Sequence, residues 1–361
     1  MRVLQLIDSL DAGGAERVAV NMANALSYKI DSSYLCATRK EGLLKSSLST
    51  KVSYLFLNKT KTIDFKAIIR LNGFIKKHDI EIIHAHSTSF FLAAVMKFFN
   101  SKLKIIWHDH YGHSEHLDKR KFLILRLCSG YFLHIISVNR ILADWAKKHL
   151  KTKGVTYLPN FAIRDTSKPK TTLKGKDGKR ILHLANLRPQ KDHLNLLHAF
   201  SKVRKNHPDW SLHGVGKDFD DAYSEDVKNL IKTLDLDNHV FLYGSRLDIT
   251  HIINQSDIGV LSSKSEGLPI ALLEYGLAGL PTIATNVGNC KEVISNDSEG
   301  LLINPENEEA LSIALKTYIT DVSGRVKSGQ HLKRKVETSF SEEQIINKLL
   351  KIYSKATNGT V

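Results

Sequence analysis

Short apolar runs rich in β-branched residues alternate with amphipathic helical patterns along almost the whole chain, and this alternation is the strongest constraint on its fold. Strands buried on both faces read as continuous apolar runs, and parallel strands need a crossover that is usually a helix. The pattern therefore predicts an α/β fold, with parallel sheets covered by helices on both sides. In the first half, strands are expected at 3–7, 81–84, 103–107, 133–138 and 155–158, with helical spacing over 15–26, 65–77 and 139–150. From 164 to 179 the apolar period stops and Lys, Thr, Gly and Pro gather, which marks a linker. The alternation resumes with strands expected at 180–185, 210–215, 240–243, 258–261 and 282–285. The division that follows is a first domain over 1–165, a linker over 166–179 and a second domain over 180–339. A terminal helix over 340–357, with Ile345, Ile346, Leu349, Leu350 and Ile352 at helical spacing, is free to pack back on the first domain. A chain of 361 residues suits two cores, since single cores rarely grow past ~250 residues.

Charge is unevenly spread. Residues 1–165 carry 26 Lys and Arg against 13 Asp and Glu, a balance of +13, whereas the remainder carries 26 against 24. The basic half favours an anionic partner: nucleic acid, an anionic membrane surface or a phosphorylated acceptor. The three cysteines, Cys36, Cys128 and Cys290, lack metal-ligand spacing and fit a reducing compartment. The start reads as neither a signal peptide nor a membrane span, and the apolar run at 90–99 is interrupted by Lys97 and too short to cross a bilayer. A cytoplasmic protein is expected, with the inner face of the cytoplasmic membrane as a candidate surface.

The most informative stretch is 262–279, SSKSEGLPIALLEYGLAG. A strand ends at Leu261, a polar loop carries Glu266, Pro269 suits the first helical position, and an apolar helix runs on to Gly279. A helix amino terminus at the carboxyl end of a parallel strand is an anion site, because free backbone N–H groups and the helix dipole act at the same spot. Glu274 lies on a helix that is apolar nearly all round, so burial is expected and its carboxylate needs a partner. Ribose hydroxyls would serve, as would an internal hydrogen bond or ion pair. A second stretch, 180–191 or RILHLANLRPQK, is a strand running into a turn with two cations, Arg188 and Lys191. Cations positioned there suit a group on which negative charge develops, because they stabilise that charge more in the transition state than before it.

Glu266-Gly267-Leu268-Pro269, with Glu274 eight residues after Glu266, resembles the Glu-x7-Glu signature of glycosyltransferase family 4, a retaining family. The resemblance extends over both halves and implies the GT-B fold: two Rossmann-like, doubly wound parallel-sheet domains facing a central cleft. It implies that Glu266 contacts the donor hexose, that the backbone of Gly267, Leu268, Pro269 and Ile270 contacts sugar and phosphate, and that Glu274 holds the ribose. The family's Gly-Arg-x-x-x-x-Lys pattern is altered here. Asn186 stands at the Arg position and Arg188 follows two residues later, so Lys191 takes the phosphate role directly and Arg188 substitutes. The turn Asp11-Ala12-Gly13-Gly14-Ala15-Glu16 resembles the family's glycine loop, which closes over the donor phosphates through Gly13 and Gly14. Residues 105–110, IIWHDH, resemble the segment whose last histidine lies beside the transferred sugar. His110 is thereby expected to orient the acceptor hydroxyl and manage its proton, with His86, His108 and Asn160 on the acceptor side and Arg246 edging the base.

The function that follows is retaining transfer of a sugar from a nucleoside-diphosphate sugar to a saccharide acceptor, expected to be lipid-linked, in bacterial surface polysaccharide assembly. No cofactor and no metal are expected. Basic residues Lys119, Arg120, Lys121 and Arg126 flank the apolar run at 122–125, a composition suited to an anionic bilayer or to an ordinary buried helix with a charged edge. Four rival readings stand beside this one. A metal site would draw on His108, His110, His113 and His116; a metal-dependent GT-A transferase would use Asp218-Phe219-Asp220 or Asp235-Leu236-Asp237, acids that also suit helix ends. A nucleotide-sugar epimerase would keep the phosphate contacts but need no acceptor. A nucleic-acid-binding protein would exploit the basic half, but no recognition helix, zinc knuckle or aromatic ribonucleoprotein motif is present and nucleic acid is not expected as a partner.

Overall fold

The computed structural model describes residues 1–112, 114–152, 154–164 and 168–358, and it divides into two compact units, 1–161 with 342–361 and 162–341. The first unit runs β1 (Arg2–Ser9), α1 (Gly14–Leu26), β2 (Ser32–Lys40), β3 (Val52–Phe56), α2 (Phe65–Lys77), β4 (Ile82–His86), α3 (Phe90–Phe99), β5 (Lys104–Asp109), α4 (Leu123–Cys128), β6 (His134–Ser137), α5 (Arg140–His149) and β7 (Val155–Tyr157). Its seven strands are all parallel, in the order β3-β2-β1-β4-β5-β6-β7. Val3, Leu4, Leu6 and Ile7 of β1 are buried, as a strand covered on both faces requires. Gln5 is the exception in that run, a fully buried amide that must find hydrogen bonds.

The second unit runs β8 (Arg180–Leu184), α6 (His193–Arg204), β9 (Ser211–Val215), α7 (Ala222–Thr233), β10 (Val240–Leu242), α8 (Ile249–Asn254), β11 (Ile258–Leu261), α9 (Ile270–Ala278), β12 (Thr282–Thr285), α10 (Cys290–Val293), β13 (Leu301–Ile303), α11 (Glu308–Thr320) and α12 (Val322–Ser339). Its six parallel strands follow the order β10-β9-β8-β11-β12-β13. The last helix, α13 (Glu342–Asn358), returns to the first unit, packs against α1 and buries Ile345, Ile346, Leu349 and Tyr353.

Both sheets are doubly wound, and strand order reverses between β1 and β4 in one and between β8 and β11 in the other. Ligands of open α/β sheets bind outside the carboxyl ends of the strands at such a reversal. The loops leaving β1, β4, β8 and β11 are therefore the ones the topology offers for chemistry. One side chain ties the second set together. The Tyr275 hydroxyl on α9 accepts the Leu184 N–H at 2.7 Å and donates to the Leu182 carbonyl at 3.1 Å, so α9 is fixed to β8 as well as to its own strand.

Candidate active site

In the second unit the two stretches singled out from sequence meet, 75 residues apart along the chain. Lys191 ends a single 3-10 turn, Pro189–Lys191, and Asp192 at φ 50° reverses the chain into α6. The Lys191 Nζ lies 2.5 Å from Glu266 Oε1, with the two side chains 22% and 7% exposed. The Ser263 hydroxyl donates to the same carboxylate oxygen at 2.6 Å. The loops themselves are joined: Ser262 Oγ donates to the Lys191 carbonyl at 2.8 Å, and the Lys264 N–H to the Gln190 carbonyl at 2.8 Å. The end of β12 and the loop after it close a third side, through Thr285 Oγ1 to the Ser263 carbonyl at 2.6 Å and Asn289 N–H to the Gly267 carbonyl at 2.8 Å. Gly288 there has φ +53°, and a Cβ on it would stand 2.2 Å from the Glu266 carbonyl oxygen.

The amino terminus of α9 opens at this loop. Pro269 is its cap, in extended conformation, and Ile270 is the first helical residue, so the helix starts one position later than the sequence reading has it. No side chain caps it. Leu268 and Ile270 are buried, which leaves their backbone as the part able to serve a ligand. Glu274 is half-buried rather than enclosed; it lines a pocket of about 200 Å³ with Arg164, Thr250, Asn254 and Lys333. The expectation of full burial fails because α9 exposes this edge between Ala271 and Leu277, both half-buried as well.

Asn186 and Arg188 part company. The Asn186 side-chain oxygen accepts the Lys217 N–H at 2.7 Å and so braces the loop after β9. Arg188 is exposed, with its guanidinium 4.7 Å from the Phe219 ring centroid, and Lys217 lies 4.9 Å from the same centroid. A second cation therefore shares the Arg188 platform, one the sequence reading missed. Its signal was Gly216-Lys217 directly after a strand: a Cβ on Gly216 would stand 2.0 Å from the Ala185 carbonyl, and the missing side chain lets the two loops touch. Arg246 donates to the neighbouring Ser245 carbonyl at 3.0 Å. Of the Asp-x-Asp strings, Asp218 is paired with Lys228 at 2.6 Å, and the adjacent Asp221 caps α7.

In the first unit, Gly13 caps α1, and a Cβ there would meet the Glu16 carboxylate at 2.2 Å; Gly14 has open space around it. Asn160 is buried. His84, His86 and His108 are buried at the ends of β4 and β5, with His110 half-buried beside them. His86 Nδ1 lies 3.0 Å from His110 Nε2, and His86 Nε2 lies 2.8 Å from Gln5 Oε1. Gln5 Nε2 donates to Tyr353 Oη at 3.3 Å, and that hydroxyl lies 2.6 Å from His84 Nδ1. Burial holds all four imidazoles below their ordinary range, His84 and His110 to about 3 and His86 and His108 well below it. They are neutral at working pH. Ligand atoms of His84, His86 and His108 lie within 4.8 Å of one another, and this is the one cluster among the described residues that offers three metal-ligating atoms. His116 is exposed, and His113 lies outside the described residues. The segment carrying His110 is anchored by Asp109, which receives both Arg120 nitrogens at 2.7 and 2.8 Å.

Two family models cover the chain from residue 12 to residue 335: "Glycosyltransferase Family 4" over 12–163 and "Glycosyl transferases group 1" over 164–335. The chain belongs to glycosyltransferase family 4. This family 4 enzyme is similar to an uncharacterized glycosyltransferase of Haemophilus influenzae, 26% identical over 86% of this chain and 88% of that one. It is also similar to the Escherichia coli UDP-Gal:α-D-GlcNAc-diphosphoundecaprenol α-1,3-galactosyltransferase, 24% identical over 94% of this chain and 93% of the other. Among solved structures it superposes on sucrose-phosphate synthase from Thermosynechococcus elongatus with a TM-score of 0.82 at 14% identity, covering 99% and 100% of the two chains. It superposes on Anabaena HepE in complex with UDP and glucose with a TM-score of 0.81 at 16% identity, covering 98% and 100%. The fold is GT-B and the protein is a glycosyltransferase.

Two predictions come from this geometry. Gly288→Ala should weaken donor binding at least about tenfold, because both its φ and the 2.2 Å contact push the Glu266 loop aside. Gly178→Ala, at φ +80° with open space around it, is the control that leaves donor binding unchanged in calorimetry. Secondly, the buried histidines of both units have folded-state pKa values below the ordinary 6.5, with His193 and His213 at about 4. The unfolded chain then binds more protons than the folded one below that pH, so stability is complete above about 6.5 and is lost as pH falls toward 3. Melting temperature should drop steadily from pH 7 to pH 4; a flat profile contradicts the neutral assignment.

Proposed function

We propose that this enzyme transfers a sugar, with retention, from a nucleoside-diphosphate sugar to a lipid-linked saccharide during bacterial surface polysaccharide synthesis. The contact that supports this most is Lys191 with Glu266 beside the amino terminus of α9. A cation, a helix end and a carboxylate gathered at the carboxyl edge of a parallel sheet suit a sugar diphosphate, the first two facing phosphate and the third the sugar hydroxyls. In this reading Lys191, Arg188 and Lys217 stabilise charge on the departing diphosphate, and the Gly267–Ile270 backbone donates to sugar and phosphate. Glu266 grips the hexose, Glu274 the ribose, and Arg246 edges the base. In the first unit, Gly13 and Gly14 close on the phosphates and His110 orients the acceptor hydroxyl, with His86, His108 and Asn160 on the acceptor side. Side-chain cations and backbone dipoles supply the counter-charge without a metal. A phosphate oxygen takes the acceptor's proton on the face the diphosphate leaves, and closure against water limits donor hydrolysis. The Escherichia coli relative's diphosphoundecaprenol-linked acceptor favours a lipid-linked substrate over the epimerase alternative, which needs no acceptor.

Calorimetry with a panel of nucleotide sugars tests the donor assignment. One donor should bind, and Lys191→Ala and Glu266→Gln should each lower transfer by ~10²-fold or more, unaffected by a chelator. Full activity in Lys191→Ala, or product formed from donor alone, defeats the reading.

The acceptor's lipid anchor brings the enzyme to a bilayer, and we place that contact on α3 and α4 of the first unit. Phe122 and Leu125 pack on the core, whereas Leu123, Ile124 and Leu127 are 74%, 61% and 65% exposed, so one face of this helix is buried and the other is open. Phe98 at 72% and Phe99 at 53% extend the patch, and the Phe98 ring meets Tyr131 edge-on at 5.3 Å. Lys119, Lys121 and Arg126 are exposed around it. Arg120 is a correction: it turns inward to Asp109 and lies over Trp145, unavailable to lipid. No helix among the described residues is long and apolar enough to cross a membrane, so the contact would be interfacial. Inserted side chains contribute ~2 kcal/mol each and cations near an anionic surface ~1 kcal/mol each. The protein should float with phosphatidylserine vesicles but not with zwitterionic ones, and Leu123→Glu with Leu127→Glu should abolish flotation. Equal behaviour of variant and parent sinks the assignment.

A further inference from the structure

A buried chain of hydrogen bonds runs from the last helix of the sequence to His110. It passes from Tyr353 on α13 to Gln5 on β1, then to His86 at the end of β4, then to His110. Gln5, His86 and Tyr353 are each fully buried, so bulk solvent does not reach these groups. We propose that Gln5 and Tyr353 are positioning residues that decide which nitrogen of His110 carries its proton.

The direction of each bond follows from the chemistry of its ends. The Gln5 Oε1 can only accept, so His86 donates to it from Nε2 at 2.8 Å. A neutral imidazole has one proton, and His86 is neutral because burial holds its pKa far below the ordinary range. Its Nδ1 therefore has only a lone pair and must accept from His110 Nε2 at 3.0 Å. That places the His110 proton on Nε2 and leaves Nδ1 as the basic nitrogen. At the other end, Gln5 Nε2 donates to Tyr353 Oη, whose own proton goes to His84 Nδ1.

Turning the Gln5 amide over would reverse every bond and put the His110 proton on Nδ1. The distances favour the direction given. In the reversed chain the Tyr353 hydroxyl would donate to an amide oxygen at 3.3 Å, about 0.3 Å beyond the usual ~2.5–3.0 Å of O–H···O bonds, whereas as an N–H···O bond the same separation is only about 0.1 Å beyond the usual ~2.7–3.2 Å. In the direction given, the hydroxyl donates over 2.6 Å to His84 and the longer distance falls to the weaker N–H donor. The Tyr353 hydroxyl is thus what keeps the amide from turning, and through it α13 sets the protonation pattern of a loop more than 240 residues away in sequence. Its importance for transfer rests on the proposed role of His110 at the acceptor hydroxyl.

The test reads the tautomer and the chemistry separately, on the full chain labelled with ¹⁵N-histidine. In the parent, the His110 signal, assigned by His110→Gln, should show its proton on Nε2. Tyr353→Phe, which keeps the ring, should give a mixture of tautomers and lower kcat about tenfold with donor KM unchanged. Gln5→Glu puts acceptors on both ends and draws a second proton onto His86, whose Nδ1 then donates. The His110 proton should move to Nδ1, and kcat should fall further than in Tyr353→Phe. A parent protonated on Nδ1, or a tautomer indifferent to both substitutions in folded protein, overturns the proposal. Full activity in His110→Ala would instead remove the transfer role while leaving the tautomer result to stand or fall by itself.

Discussion

The pairing of Lys191 with Glu266 is the constraint around which the second unit is arranged. Both charges are largely withdrawn from water, and a half-buried cation or carboxylate left alone would cost several kcal/mol. Each therefore needs the other until a ligand supplies a substitute. The surrounding bonds, from Ser262, Ser263, Thr285 and Asn289, hold backbone and carboxylate in place, while the lysine reaches that carboxylate on a flexible stem. Under the proposed function, donor diphosphate takes the lysine and the donor sugar takes the glutamate, so a pair that stabilises the empty loop becomes two separate ligand contacts. The pair also explains why the loops after β8 and β11 are bonded to each other directly. Its geometry survives only if neither strand shifts, and the Tyr275 hydroxyl, bridging α9 to β8, prevents that shift.

The first unit solves a different problem. Its charge balance is strongly positive, yet the carboxyl ends of β4 and β5 hold imidazoles kept neutral by burial rather than further cations. Neutral histidines can donate at one nitrogen and accept at the other, which a lysine or arginine cannot do. The one full charge among them, Asp109, is matched by a bidentate arginine that is itself stacked between Tyr111 and Trp145. The positive surface thus lies elsewhere, in part around the exposed apolar side chains of α3 and α4.

The parallel-sheet plan was legible because it rests on apolar runs that alternate with amphipathic helical patterns. Of the elements not anticipated, β2 begins Ser32-Ser33 and carries Thr38, and the buried Ser33 is tolerated only because its hydroxyl donates to the Ala23 carbonyl at 2.8 Å. Polar residues satisfied by tertiary bonds hide a strand from any reading of periodicity. The strands β3 and β13 are short, and α3 stands in the sequence as a plain apolar run interrupted by Lys97. The Glu266 and Lys191 stretches were legible as chemistry because loop, proline and helix agree locally, whereas Lys217 owes its place to Phe219 and to the absent Gly216 side chain, contacts made across the sheet edge.

The same limit applies with more force to Gln5. In sequence it is one polar residue inside an apolar strand, and Tyr353 is one aromatic residue on an amphipathic helix. Neither carries a signal, since a buried amide has no meaning until its partners are known. Those partners lie on β4 and α13, and the second of these joins the first unit only after the whole second unit has been traversed. A residue whose work is to orient another cannot be found by asking what chemistry its own side chain performs. It is found by following each buried donor to its acceptor, which requires the fold first and shows why this layer of a site is legible only in three dimensions.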